Sequence, residues 1–382
     1  MAMPLAAYGV FLPVLAEAFG WSRGAVSTAL SINLVVGGLA GFGIGALADR
    51  YGPRVMLVLT VALAGGAFAL VSQVRALWQL HLFVGILGGV GTSSFYLLST
   101  TTIARWFMER RGLALSLVLV GFNLGYVSSG PLAAWLITAI GWRGAYAVLA
   151  GGAGLLSLLG AASVRLPRPA EHPVAVRPDR AAAAPATLGG ITLRQALADR
   201  RQWCLNACWL LQGGLVFMVT VHIVPFARDQ GVSLAGASLA LTAYGIGSFI
   251  GRLAGGVTSD RLGTLATVRA AYLAMALALV VLVWIPSRVA MLGSMAAFGA
   301  GFAAADTVIA KVIPDVFGLR AIGAIMGVLT LGWRAGAALG PAAAGFLFDL
   351  TGSYAIPFGA APLAVLASWM FFTLGTSRSR TL

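Results

Sequence analysis

Apolar residues fill long unbroken stretches of this chain, and polar or charged residues fall between them in short clusters. Runs of about 20 apolar residues are long enough to cross the hydrocarbon layer of a membrane as helices. The pattern predicts spans at 3–19, 27–48, 55–73, 77–101, 113–138, 144–163, 203–226, 236–258, 268–285, 289–311, 322–347 and 355–374. The runs are continuous and lack the alternation of outer-membrane strands, so helices are expected and a barrel is not. One stretch breaks the rhythm: residues 165–201 are rich in Pro and Arg and contain no long apolar run. They read as a linker ending in a short amphipathic piece, with a six-helix bundle on either side at 1–164 and 202–382.

The two sides repeat each other. "GALADRYGPR" (45–54) and "GGVTSDRLGT" (255–264) share one skeleton, with Gly45, Asp49, Arg50 and Gly52 matching Gly256, Asp260, Arg261 and Gly263. The same offset, about 210 positions, lays 105–131 over 314–341, with Phe107 on Phe317 and Gly130-Pro131 on Gly340-Pro341. A six-helix unit written twice keeps both copies in the same orientation, related by a pseudo-two-fold axis along the membrane normal.

Composition agrees with this picture: 59% of the 382 residues are hydrophobic and only 9% are charged, against about 25% charged in soluble domains. The formal net charge of +14 is mostly an orientation signal. Arg50, Arg54, Arg105, Arg110, Arg111, Arg261, Arg269, Arg320 and the linker arginines fall on one side of the predicted spans, against Arg23, Arg75, Arg143, Arg228 and Arg288 on the other. The richer side is expected to be cytoplasmic, which places the linker, both repeated turns and both termini inside a multi-pass inner-membrane protein. A nucleic-acid role would need a folded basic domain, and the pattern contains none.

Two parallel six-helix halves, a Gly-x-x-x-Asp-Arg-x-Gly turn after the second helix of each half, and Gly-Pro in helices five and eleven together resemble the major facilitator superfamily over nearly the whole chain. "GVFLPVLAEAFGWSRGAVSTALS" (9–31), "RWFMERRGLALSL" (105–117), "VHIVPFARDQGVS" (221–233) and "GPAAAGFLFDLTGSY" (340–354) are similar to the monocarboxylate transporter and oxalate/formate antiporter branch. The resemblance implies that Asp49, Arg50, Asp260 and Arg261 help close a cytoplasmic gate, with Gly45 and Gly256 allowing close helix packing. Ordinary helix-end charge is the other reading of these residues. It further implies carriage of small organic anions, coupled to protons or to a counter-anion, by a chain that works as a monomer in the bilayer without a cofactor.

Candidate substrate residues follow from charge inside the spans. A guanidinium at a helix centre costs roughly 2.5 to 3.5 kcal/mol on insertion scales, so an intramembrane charge points to function by default. Arg252, Asp306 and Arg334 are the clear cases. Two arginines with one carboxylate leave a net positive pocket fit for an anion, and the planar guanidinium suits a carboxylate. Two alternatives stand beside this: Asp306 and one arginine as a structural pair, and Arg334 at the interface between the halves. Lys311, near a helix end, is expected to snorkel. His222 is a candidate proton relay or a hydrogen-bonded core residue, and Tyr96 and Asn123 are candidate polar wall residues from the first half.

Several features exclude other classes. Cys204 and Cys208 have no neighbouring His to form a metal set. No Gly-Lys-Ser/Thr follows any glycine cluster, and no paired catalytic carboxylates or Ser-His-Asp arrangement stands outside the bilayer, so an enzyme is not expected. The first span is short against its repeat partner, which suggests a first helix that begins upstream of Met1. The expected function is secondary transport of a small mono- or dicarboxylate; efflux of larger amphipathic compounds, a non-transporting sensor and a truncated remnant are the alternatives.

Overall fold

The computed structural model describes residues 2–95, 98–99, 102, 111–164, 190–285, 287–318 and 320–377. The first span is α1 (Ala2–Ala6) and α2 (Tyr8–Phe19), followed by α3 (Arg23–Tyr51) and α4 (Pro53–Leu70). The fourth combines α5 (Leu77–Leu80), a π-helical stretch (His81–Leu87) and α6 (Gly88–Thr92). Spans five and six appear as α7 (Arg111–Ser163), broken at Gly141. After α8 (Leu193–Ala198) come α9 (Arg200–Asp229), α10 (Leu234–Leu262), α11 (Thr264–Trp284), α12 (Arg288–Phe317), α13 (Ile322–Thr351) and α14 (Ala355–Thr376). Among the described residues nine helices are long and apolar enough to cross a membrane. One of them, Leu124–Ser163, lies within α7, which covers two of the expected spans, 113–138 and 144–163.

Helix ends fall outside the apolar runs because polar caps extend them. Ser22 accepts from the Ala25 N–H, Ser233 from Gly236 and Ser287 from Ala290, so three orphan donors are satisfied just where helices start. The amphipathic piece at the end of the linker is α8, started by a Thr192/Gln195 capping box.

The turns record the repeat at the level of backbone angles. Six of the eight glycines with positive φ among the described residues fall in three pairs: Gly20 (φ 67°) with Gly231 (83°), Gly52 (89°) with Gly263 (89°), and Gly141 (74°) with Gly352 (66°). Each pair is separated by the same 211 positions. Gly52 and Gly263 also share nearly the same ψ, 148° and 155°, and each ends one helix and begins the next within a single residue. The Asp-Arg-x-Gly skeleton therefore carries glycine because a side chain there would meet a strained positive φ.

Helix pairs within the second half approach until their backbones touch. A Cβ placed on Gly336 would run into the Leu210 carbonyl, and one on Gly251 into the Ala300 carbonyl. With no hydrophobic driving force between helices in lipid, such small-residue seams supply the close packing. Between the halves, α2 packs on α9, α3 on α13 and α7 on α10.

Candidate functional site

Call the end at which residue 164 leaves and residue 190 re-enters the linker face, and the opposite end the far face. α10 and α12 run antiparallel through the second half, and both place a charge deep within it. Arg252 on α10, Asp306 on α12 and Arg334 on α13 each lie about 15 to 18 Å from the linker-face end of their helix, by a rise of ~1.5 Å per residue. They therefore share one depth near the middle of the fold.

The structure brings Arg252 and Asp306 together. Arg252 Nη1 donates to Asp306 Oδ2 at 3.3 Å, and the two side chains are 32% and 35% exposed. The contact is single and end-on. Arg252 Nε is buried with no partner in the described structure, so a fork able to make five hydrogen bonds is mostly unspent. Arg334 lies elsewhere on the wall, against the first half. A Cβ on Gly38 would come within 3.1 Å of its Cδ, and one on Gly37 within 3.7 Å of its Nη1. Arg334 makes no ion pair among the described residues.

Aromatic side chains join these charges. Phe302, one turn from Asp306, stacks on Trp333, the neighbour of Arg334, with ring centroids 5.6 Å apart. Toward the far face Tyr244 contacts Tyr126 of the first half (6.3 Å) and Phe298 (6.1 Å). The sequence reading missed these residues, although a signal was present: Tyr244, Ser248 and Arg252, and likewise Phe298, Phe302 and Asp306, recur every fourth residue and so share a helix face.

The remaining candidates are placed differently. His222 sits apart from the Arg252–Asp306 pair, fully buried, with Nδ1 2.8 Å from the Tyr354 hydroxyl and Nε2 2.8 Å from the Pro341 carbonyl. Tyr96 lies outside the described residues, as do the side chains of Asn123 and Asp49. Of the repeated turns, Gly45 and Gly256 are half-buried, and Arg50 and Arg261 are exposed. Asp260 accepts from Lys311 Nζ at 2.9 Å within its own half.

The far face is different. Arg23, at the start of α3, gives two parallel bonds to Asp229 at the end of α9: Nη1 to Oδ2 at 2.6 Å and Nη2 to Oδ1 at 2.7 Å. Asp349, at the end of α13, accepts from the backbone N–H groups of Arg23 (2.9 Å) and Gly24 (2.8 Å). The Arg23 guanidinium lies 3.9 Å from the centre of the Phe348 ring. Glu17 and Arg228 add a looser pair at 3.5 Å. Tyr354, in the connection to α14, completes the group; burial pushes its phenol up, which keeps the hydroxyl protonated. The segments 9–31, 221–233 and 340–354 that carry the branch resemblance hold these residues, but the sequence reading gave Arg23 and Arg228 only an orientation role and did not bring the cluster together.

Comparisons with known proteins agree with the architecture. Monocarboxylate transporter 13 of Bos taurus is 29% identical over 99% of this chain and 88% of its own length. The gallate transporter of Pseudomonas putida is 29% identical over 95% of this chain and 88% of its own. Among solved structures, the nucleoside transporter NupG aligns with a TM-score of 0.76 at 12% identity, covering 97% of both chains. A bacterial homologue of the human lysosomal transporter Spinster, solved inward-facing and unoccupied, aligns at 0.69 and 15% identity over 98% of this chain and 93% of its own. The family match covers residues 1–233 and 215–381. With its all-helical membrane fold and its duplicated turns, this chain belongs to the Major Facilitator Superfamily.

Proposed function

We propose that this transporter moves a small carboxylate-bearing anion by alternating access, with Arg252 as the seat of the carboxylate. The observation that carries the reading is the under-used guanidinium: one end-on contact to Asp306, a buried Nε without a partner, and a depth at which charge is costly. A substrate carboxylate would complete the fork in the bidentate way that Arg favours. Asp306 balances Arg252 while the site is empty, and takes a proton or yields to the anion when substrate occupies the arginine. Arg334 supplies a second positive charge, which suits a dicarboxylate. The Phe302–Trp333 stack between them offers an apolar or ring-bearing substrate body a surface to lie against.

In this reading residues 1–164 and 202–382 are the two moving bundles and 165–201 is a cytoplasmic linker, so the linker face is the cytoplasmic face of an inner-membrane protein and the far face is extracellular. Ion pairs joining the halves on the far face, and an Asp260 engaged within its own half on the other, support a cytoplasm-open state. The repeated turns at Asp49-Arg50 and Asp260-Arg261 are then gate residues awaiting closure.

Uptake into proteoliposomes of labelled lactate, succinate and gallate, with and without a pH gradient, tests the proposal. At least one of these acids should accumulate, and its uncharged amide should neither accumulate nor compete. Transport of the amide as fast as the acid would overturn it.

A further inference from the structure

The far-face cluster continues inward, and its hydrogen bonds have a direction. The Pro341 carbonyl can only accept, so His222 Nε2 carries the proton that joins them. His222 Nδ1 is then left as an acceptor, and the Tyr354 hydroxyl donates to it at 2.8 Å. Tyr354 also stands beside Arg23, whose guanidinium lies 5.3 Å from the centre of its ring. The chain thus runs from Tyr354 O–H to His222 Nδ1 and from His222 Nε2–H to Pro341, with the Arg23 guanidinium beside the Tyr354 ring. It ends where α13 lacks a backbone donor and bends most readily.

We propose that His222 is a proton-binding site that controls an extracellular gate made by Arg23, Asp229, Asp349 and Tyr354. Arg23 ties the first half to two helices of the second, α9 through its side chain on Asp229 and α13 through its backbone N–H on Asp349, and the bidentate charged link to Asp229 is the one that holds this face shut. The closed gate needs a neutral His222 with Nδ1 free to accept. A proton added at Nδ1 removes that acceptor, so the Tyr354 O–H loses its partner and must rotate away for its oxygen to accept from Nδ1–H. It also sets an imidazolium near the Arg23 guanidinium. Both effects disfavour the closed arrangement, so acid outside favours opening. On reclosure the proton leaves to the same side, and no net proton movement is required at this site.

The other groups around His222 do not replace it in this role. Asp229 and Asp349 already serve Arg23. Glu17 and Arg228 pair with each other at the ends of α2 and α9. Tyr8 of α2 donates to the Val26 carbonyl, Tyr244 of α10 faces Tyr126 and Phe298, and α14 carries no charged residue. The inference uses the orientation proposed above but not the substrate, and the test below involves neither a substrate nor a sidedness.

Spin labels on Ala18→Cys at the end of α2 and Leu350→Cys at the end of α13 report the distance across this face. Both native positions are exposed, and the native Cys204 and Cys208 are buried, so the unsubstituted chain should take up little label. In detergent-purified protein the distance distribution should be short at about pH 7.5 and gain a longer component at about pH 4.5, acid enough for an imidazole that burial in the closed gate keeps neutral; a parent chain that stays short at both overturns the proton site. Arg23→Gln should show the long component at both values; Asp229→Asn should do the same if the arginine variant fails to fold. His222→Gln, which keeps a donor and an acceptor but does not titrate, should stay short at both. Acid opening in His222→Gln equal to that of the parent overturns the proton site. A closed distribution in monodisperse Arg23→Gln and Asp229→Asn at the higher pH overturns the gate.

Discussion

Two arginines of this chain meet carboxylates in opposite ways. Arg23 engages both terminal nitrogens of its fork, giving Asp229 two short parallel bonds at the rim. Arg252, deep in the second half, gives Asp306 a single contact of 3.3 Å and leaves a buried Nε unused. A saturated pair holds a conformation, because opening it separates charge from charge. An unsaturated one inside the fold is poised for a ligand, because a planar anion satisfies it better than its resident partner does. Position sharpens the contrast: the rim pair joins the two halves, whereas Arg252 and Asp306 both lie in the second.

The contrast can be broken most severely at the centre. Arg252→Gln should cut uptake of the transported acid roughly ten- to hundred-fold, as expected for losing ~1.5 to 3 kcal/mol of hydrogen bonding to a charged group. Arg252→Lys keeps the charge without the planar fork and should fall between that variant and the parent, with membrane insertion intact in both. Initial rates in proteoliposomes, normalised to reconstituted protein, check the order.

A packing change should act on stability and leave the charge contrast untouched. Gly336→Val drives a branched side chain into the Leu210 carbonyl across the α9–α13 seam and should cost about 1 to 3 kcal/mol or more of stability. A lowered melting temperature in detergent, with loss of folded protein preceding any change in substrate selectivity, is the expected signature.

Arg334→Gln sharpens the comparison within the central site. Arg334 lies against Gly37 and Gly38 of the first half and pairs with no carboxylate among the described residues. A dicarboxylate should lose uptake nearly as badly as at Arg252, and a monocarboxylate should lose only a few-fold, about 1 kcal/mol or less. Competition between succinate and lactate in the same vesicles separates the two outcomes.

The smallest effect is expected at the repeated turn on the linker face. Lys311 and Asp260 form an exposed pair, so Lys311→Gln should change stability by about 0 to 1 kcal/mol. Thermal melting at low and high salt should barely distinguish it from the parent.

Much of the architecture was legible because the constraints are local. Apolar runs announce spans, and the left-handed glycines that end helices recur 211 positions apart, so the duplication is written into the backbone as well as the composition. The meeting of Arg252 and Asp306 was legible for the same reason, as both are isolated charges at matching depth. The gate was not. Arg23 lies 206 positions from Asp229 and 326 from Asp349, and charges at the ends of spans look alike whether they face water or each other. His222 shows the same limit: its residue type suggested a proton, but only the packing of α9 against α13 shows Tyr354 and Pro341 on either side of its ring. The aromatic lining carried a four-residue spacing, which an apolar helix hides among many other apolar residues.

The central claim is that the carboxylate of the substrate takes the unused part of the Arg252 fork. The most direct measurement compares saturation curves for uptake of the best transported acid by the parent and by Arg252→Gln, reconstituted at equal density with insertion verified. The account predicts a loss of roughly ten-fold or more in the ratio of maximal rate to KM, about 1.4 kcal/mol at the least. Curves that superimpose in both rate and affinity would contradict it.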